Sequence, residues 1–129
     1  MNPVLKKINN FVVYHASKVD EIYKEAQALK KINHPNIVKL YHALIWKNFL
    51  VMIMEHVGGG ELCKYIAEHG SSGLTECEAR MFFSQLMDAV YYCHSKFIIH
   101  RDLKPENVLL TDPESKQIKV YVICNKLVN

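Results

Sequence analysis

The sequence predicts an α+β fold, because stretches with the two-residue period of strands and stretches with the 3.6-residue period of helices occupy separate parts of one 129-residue chain. Three observations carry the prediction. Apolar residues recur at helical spacing in two places: Ile22, Ala26, Leu29 and Ile32, then Phe82, Phe83, Leu86, Ala89 and Val90. β-Branched and aromatic residues crowd into 37–45 and 49–54. Turn formers separate the two kinds of segment, first Asn33, His34 and Pro35, later Gly58, Gly59 and Gly60.

Each element has a local reason. Ser17 with Asp20 three positions on fits a capping box, so a helix is expected over about 18–32, stopped by Asn33, His34 and Pro35. The strands 37–45 and 49–54 are joined by Trp46, Lys47 and Asn48, the pattern of a hairpin. Gly58, Gly59 and Gly60 break the apolar pattern and are expected to act as a hinge. A short helix over about 61–69 then leads to a turn containing Gly70 and Gly73. Thr75 and Glu78 make a second capping box, opening a helix expected to run to Ser95. Short strands at 108–110 and 118–123 flank a turn at Asp112 and Pro113. The chain has no internal repeat and no low-complexity segment.

Composition narrows the functional classes. Half of the residues are hydrophobic and 22% are charged, enough to bury a core within the size of one domain. The formal net charge of +3 is spread over interspersed acids and bases, so no charge block points to nucleic acid or an anionic membrane. Cys63, Cys77, Cys93 and Cys124 have no C-x-x-C spacing and no secretory signal accompanies them. Reduced, buried or idle thiols in the cytoplasm, or the nucleus, are the expectation. The longest apolar run, Phe49–Met54, is six residues, against the roughly 20 needed to span a bilayer.

The segment HRDLKPEN, His100 to Asn107, resembles the catalytic loop of protein kinases, whose signature is H-R-D-L-x-x-x-N. Three further blocks stand in kinase order. KEAQALKKINHPNIVKL (24–40) is similar to helix C and the strand after it, VMIMEHVGGGEL (51–62) to the hinge, and VYYCHSKFIIH (90–100) to the approach to the catalytic loop. The wording most resembles the calmodulin-dependent and AMP-activated group of serine/threonine kinases, over roughly residues 3–120. The resemblance implies a partial two-lobed kinase-like fold within a single partial domain. Residues 1–54 would form part of the small β lobe with helix C, 55–60 the hinge, and 61–129 the start of the helical lobe.

The same resemblance implies roles. Phosphoryl transfer from ATP requires a carboxylate at the acceptor hydroxyl, cations on the phosphate oxygens and oxygen ligands for Mg²⁺. Asp102 stands at the catalytic base, Lys104 at the group meeting the γ-phosphate, and Asn107 at a ligand of one Mg²⁺. Glu25 matches the helix C glutamate, which pairs in the family with a strand lysine; Lys6 is nineteen residues upstream, and Lys7 is the alternative. Met54 would be the gatekeeper. Glu55 and Val57 would offer backbone groups to adenine, and Leu109 would floor the base. Glu61, with Glu106, stands where related kinases contact arginines ahead of the acceptor, which implies a basic protein substrate. His100 is expected to support the loop from inside, and Arg101 to be the site that pairs with a phosphorylated activation loop.

Two departures bear on function. All five glycines lie between 58 and 73, so these residues hold no G-x-G-x-x-G loop and no Asp-Phe-Gly after the catalytic loop. Val122, Ile123 and Cys124 stand where Asp, Phe and Gly are expected. A general base contributes about 3 to 5 kcal/mol of the roughly 8 to 23 that enzymes supply. Most of the remainder in phosphoryl transfer comes from positioning and from metal and cation electrostatics. The expectation is therefore a serine/threonine kinase-related chain that is inactive as it stands, with doubtful ATP and Mg²⁺ binding; the alternative is a non-catalytic pseudokinase module that binds a protein partner. An uncovered apolar face on the second long helix implies association, or dependence on a partner or chaperone.

Overall fold

The computed structural model describes residues 4–8, 11–15, 19–98 and 103–122. The strands are β1 (Val4–Ile8), β2 (Phe11–His15), β3 (Leu40–Trp46), β4 (Phe49–Met54), β5 (Val108–Leu110) and β6 (Ile118–Val120). The helices are α1 (Val19–Leu29), α2 (Leu62–Glu68) and α3 (Glu76–Ser95). The chain divides into two compact units. One holds the described residues up to Asn33, Lys39–His56 and Val122; the other holds His34–Val38 and Val57–Tyr121. Helices and strands occur in both, the α+β class expected.

The first unit is a four-stranded sheet in the order β1-β2-β4-β3, antiparallel throughout, with α1 packed on β3 and β4. Alternation decides which residues of β4 go inside: Leu50, Met52 and Met54 are buried while Phe49, Val51 and Ile53 are half-covered. Ala26, Leu29 and Ile32 supply the helix side of this core. Trp46 remains in β3, paired with Phe49, and the hairpin turn narrows to Lys47 and Asn48, with Lys47 at φ 54°. Nothing in the sequence reading assigned Phe11–His15, yet β2 lies between β1 and β4. The capping pair expected at Ser17 lies outside the described residues.

Helix α1 ends at Leu29, earlier than expected, because its last bonds tighten. Lys30 N–H still reaches Ala26, but Lys31 and Ile32 donate to Ala28 and Leu29, one residue closer. Lys39 then donates from Nζ to the carbonyls of Lys30 (3.1 Å) and Ile32 (2.9 Å), placing a cation at the negative end of the helix.

The second unit is built on α3, α2 and the β5–β6 hairpin. Ile37 and Val38 were expected to open the strand 37–45; they pair elsewhere. Val120 N–H donates to Asn36 O (2.8 Å) and Val38 N–H to Val120 O (3.0 Å), a short parallel bridge onto β6. Buried Asn36 anchors the junction, its Nδ2 donating to Gln85 Oε1 and to Ile118 O, both at 3.0 Å. Gln85 Oε1 also accepts from Ile118 N–H (2.9 Å), and its Nε2 donates to Lys116 O (2.9 Å). These bonds tie three remote segments together and satisfy polar groups that would otherwise be costly to bury.

The capping box at α3 is present: Thr75 Oγ1 accepts from Glu78 N–H (3.1 Å), and Thr75 N–H donates to Glu78 Oε1 (3.4 Å). Glu78 is itself buried and accepts from Tyr65 Oη at 2.7 Å, with His69 and Lys116 at 3.8 and 3.7 Å. The Tyr65 and Thr75 hydrogen bonds lower its pKa to about 2. The expected apolar stripe of α3 divides. Phe82 and Ala89 are buried and Leu86 and Val90 half-covered, but Phe83 is 61% exposed, because it sits 100° round the helix from Phe82. Cys93 is buried and Cys63 half-buried, whereas Cys77 is an exposed thiol at the start of α3.

Candidate functional site

The residues expected to act on a nucleotide fall in both units and are described unit by unit. In the first, Lys6 is the middle residue of β1, opposite Val13 of β2. Glu25 is half-buried on α1, one residue before fully buried Ala26, and its Oε2 is withdrawn from solvent. Met54 ends β4 opposite Leu40 and is 4% exposed. Glu55 clamps Lys39 twice: its N–H donates to Lys39 O (2.7 Å), and its Oε2 accepts from Lys39 N–H (3.1 Å). The segment leaving β4 is thereby fixed through main chain and side chain together.

In the second unit the segment 57–61 lies along β5. Gly59 N–H donates to Leu110 O (2.9 Å), Leu110 N–H to Gly60 O (2.8 Å), and Glu61 bridges Leu109. Gly59 is required by proximity. A Cβ there would come 2.7 Å from both the Asp112 nitrogen and the Leu110 carbonyl carbon, and closer still to the Leu110 oxygen. Gly60 needs its freedom for the opposite reason, a φ of +85° in open space. The backbone groups of Val57 make no hydrogen bond among the described residues.

Glu61 stands at the N-cap of α2 without capping it through its side chain. Its carboxylate accepts from Cys63 Sγ (3.2 Å), and that hydrogen bond is the main reason the Cys63 thiol is pushed above its ordinary pKa. Leu109 is buried in β5, paired with Lys119.

The catalytic-loop segment is described from Leu103 onward; Asp102, with His100 and Arg101, lies outside the described residues. Lys104 is exposed and extended (φ −150°, ψ 159°), followed by a 3₁₀ turn over Pro105–Asn107. Proline at the first position of that turn fixes φ where its missing N–H costs nothing. Asn107 N–H donates to Lys104 O and Asn107 O accepts from Tyr121 N–H, both at 2.9 Å, so its backbone is held from two sides. Glu106 is exposed on the same turn.

Among the described residues no group of three or more His, Cys, Asp or Glu side chains converges, and Asn107 brings a single amide oxygen. No helix among them is long and apolar enough to cross a membrane. Sequence reasoning did not single out Lys39, which holds Glu55, or Asn36 and Gln85, which anchor Ile118. Their partners are 16, 82 and 33 residues away, and no local pattern announces such pairs.

Comparison with known proteins accords with this layout. The chain is 44% identical over 99 residues to the "Probable serine/threonine-protein kinase MARK-A" of Dictyostelium discoideum, covering 77% of this chain and 9% of that protein. It is 42% identical over 117 residues to CBL-interacting serine/threonine-protein kinase 8 of Arabidopsis thaliana, covering 91% of this chain and 26% of that protein. The crystal structure of Rad53 1-466 in complex with AMP-PNP superposes with a TM-score of 0.78 at 36% identity, over 88% of this chain and 30% of that one. The chain therefore spans about a quarter or less of the curated relatives it matches. Residues 2–122 match the protein kinase domain family, and the chain belongs to that family, on its serine/threonine side.

Proposed function

We propose that this chain is a serine/threonine kinase-related domain that binds adenine weakly through its hinge segment and does not transfer phosphate by itself. The observation that carries the reading is Val122. At the position expected to hold the main Mg²⁺ carboxylate, the chain has an apolar side chain that is 6% exposed. Support for adenine binding comes from the backbone of Val57, which is available for a ligand, and from the bound AMP-PNP of the Rad53 complex. Asp102, Lys104 and Asn107 keep the loop chemistry of the family, a base for the acceptor hydroxyl and a cation for the phosphate. Without a carboxylate for the metal or a glycine-rich cover for the phosphates, the larger electrostatic part of the catalysis is missing.

Calorimetry on the 129-residue chain tests this: ATP and adenosine should bind with similar weak affinity, and Mg²⁺ should not improve ATP. Micromolar ATP binding that requires Mg²⁺ would falsify the reading, as would phosphorylation of a basic serine/threonine peptide that Asp102→Asn abolishes.

A second reading, a non-catalytic module that binds a protein partner, is favoured by one observation, the exposed aromatic face of α3.

A further inference from the structure

Strand β3 stands at one end of the four-stranded sheet, so only one of its edges is paired. The two-residue turn at Lys47 and Asn48 closes on a hydrogen-bonded pair, Trp46 with Phe49, and antiparallel pairs alternate in type along a ladder. Leu44 and His42 therefore bond to β4, while Ala43 and Ile45 turn their N–H and C=O groups to the open side. Among the described residues nothing meets them there.

Strand edges are ordinarily blunted by charged residues, proline or short length. β3 runs for seven residues, LYHALIW, without Lys, Arg, Asp, Glu or Pro, and its bulge falls at the far end, between Leu40 and His42. Tyr41 is 50%, Leu44 43%, Ile45 40% and Trp46 57% exposed. By the register, His42, Leu44 and Trp46 share the outer face of the sheet with Ile53, Val51 and Phe49. Trp46 stacks on Phe49 with ring centroids 6.0 Å apart, and Lys47 Nζ lies 4.6 Å from the centre of the Trp46 ring.

The open backbone groups call for an extended main chain, and charge selects which one. From Ala26 to Met54 the sequence has no Asp or Glu, and the hairpin carries His42 and Lys47, both exposed, along this edge and at its end. A second copy of β3 would bring the same cations to the same edge, whereas an acidic segment meets them with opposite sign. We infer that the open edge of β3 receives an extended segment of a partner protein, apolar at alternate positions and flanked by Asp or Glu, which adds a strand to the sheet. Its N–H and C=O groups bond to Ala43 and Ile45, its apolar side chains lie beside Leu44 and Trp46, and its acidic flank meets Lys47. The inference does not rest on whether the chain binds nucleotide.

A fluorescently labelled peptide, DDVTVTVDD, titrated with the 129-residue chain, should bind with a dissociation constant below about 100 µM by anisotropy. The lysine-flanked peptide KKVTVTVKK should bind at least about 10-fold more weakly, and Lys47→Glu, at an exposed turn, should remove that preference. Methylating alternate peptide nitrogens tests the main-chain bonds: one alternating set should abolish binding and the other should spare it, which side-chain contact alone does not produce. With peptide bound, the amide hydrogens of Ala43 and Ile45 should exchange more slowly, while that of Leu44, already bonded to β4, should not change. No binding up to about 1 mM, equal binding of the two peptides, methylated peptides that bind alike, or unchanged exchange at Ala43 and Ile45 would each overturn the inference. Self-association of the chain abolished by Leu44→Lys would overturn it too, by giving the edge to a second copy.

Discussion

Phe97 follows the C-cap of α3 with a φ of +61°, in the left-handed region, and is 97% exposed. Around it the helix closes in a Schellman arrangement: Ile98 N–H donates to Cys93 O (2.8 Å) and Phe97 N–H to His94 O (3.0 Å). An L-residue with a Cβ carries about 1 to 2 kcal/mol of strain in that region. Replacing it with glycine removes the strain at the cost of about 0.5 to 1 kcal/mol of extra chain entropy in the unfolded state. Because the ring is exposed, almost no burial is forfeited, so Phe97→Gly should stabilise the chain by about 0.5 to 1 kcal/mol. For a chain of this length that is a rise in Tm of roughly 2 to 4 °C.

The assay is urea denaturation followed by circular dichroism at one fixed protein concentration, with Phe97→Ala as control. Alanine keeps the Cβ and hence the strain, so it should stay within about 0.3 kcal/mol of the parent. If glycine fails to stabilise, or alanine gains as much, backbone strain at Phe97 is not the cause.

Gly59→Ala should destabilise by about 2 to 4 kcal/mol, because the Cβ collides with the backbone of β5 and breaks the pair of hydrogen bonds to Leu110; a urea midpoint equal to that of the parent chain would contradict this. Asn36→Ala should cost about 2 to 4 kcal/mol by removing the donors that hold Gln85 and the Ile118 carbonyl, and its loss should exceed that of the exposed Asn48→Ala in the same melt. The folded-state pKa of Glu78 is depressed from 4.5 to about 2, so its stabilising contribution is complete above about pH 4.5 and fades as pH falls towards 2. Acid unfolding of Glu78→Gln compared with the parent should lose that part of the pH dependence, and identical profiles would refute the assignment.

Much of this molecule is legible along the chain. The periodicity of 49–54 and the capping box at Thr75 and Glu78 are local facts, and the structure contains both as read, because a strand's alternation and a helix's first turn need only near neighbours. The 3₁₀ turn at Pro105–Asn107, which the sequence reading did not assign, is equally local: Pro105 presets it, and its first hydrogen bond spans three residues. What the sequence left open is where equivalent apolar residues go. Phe82 and Phe83 are identical in type and adjacent, and only the packing of Tyr65 against Phe82, rings 5.7 Å apart, decides that the second faces outward. Ile37 and Val38 have strand propensity, which selects an extended backbone but not a partner; Val120, 82 residues beyond Val38, supplied one that no local rule foresees. The requirement for glycine at 59 has the same origin, since it comes from the backbone of Leu110 lying against it, whereas Gly60 and Gly73 answer to a positive φ of their own. Propensity and spacing act within a turn or two of chain, whereas burial and strand pairing are decided by segments that meet only when the chain has folded.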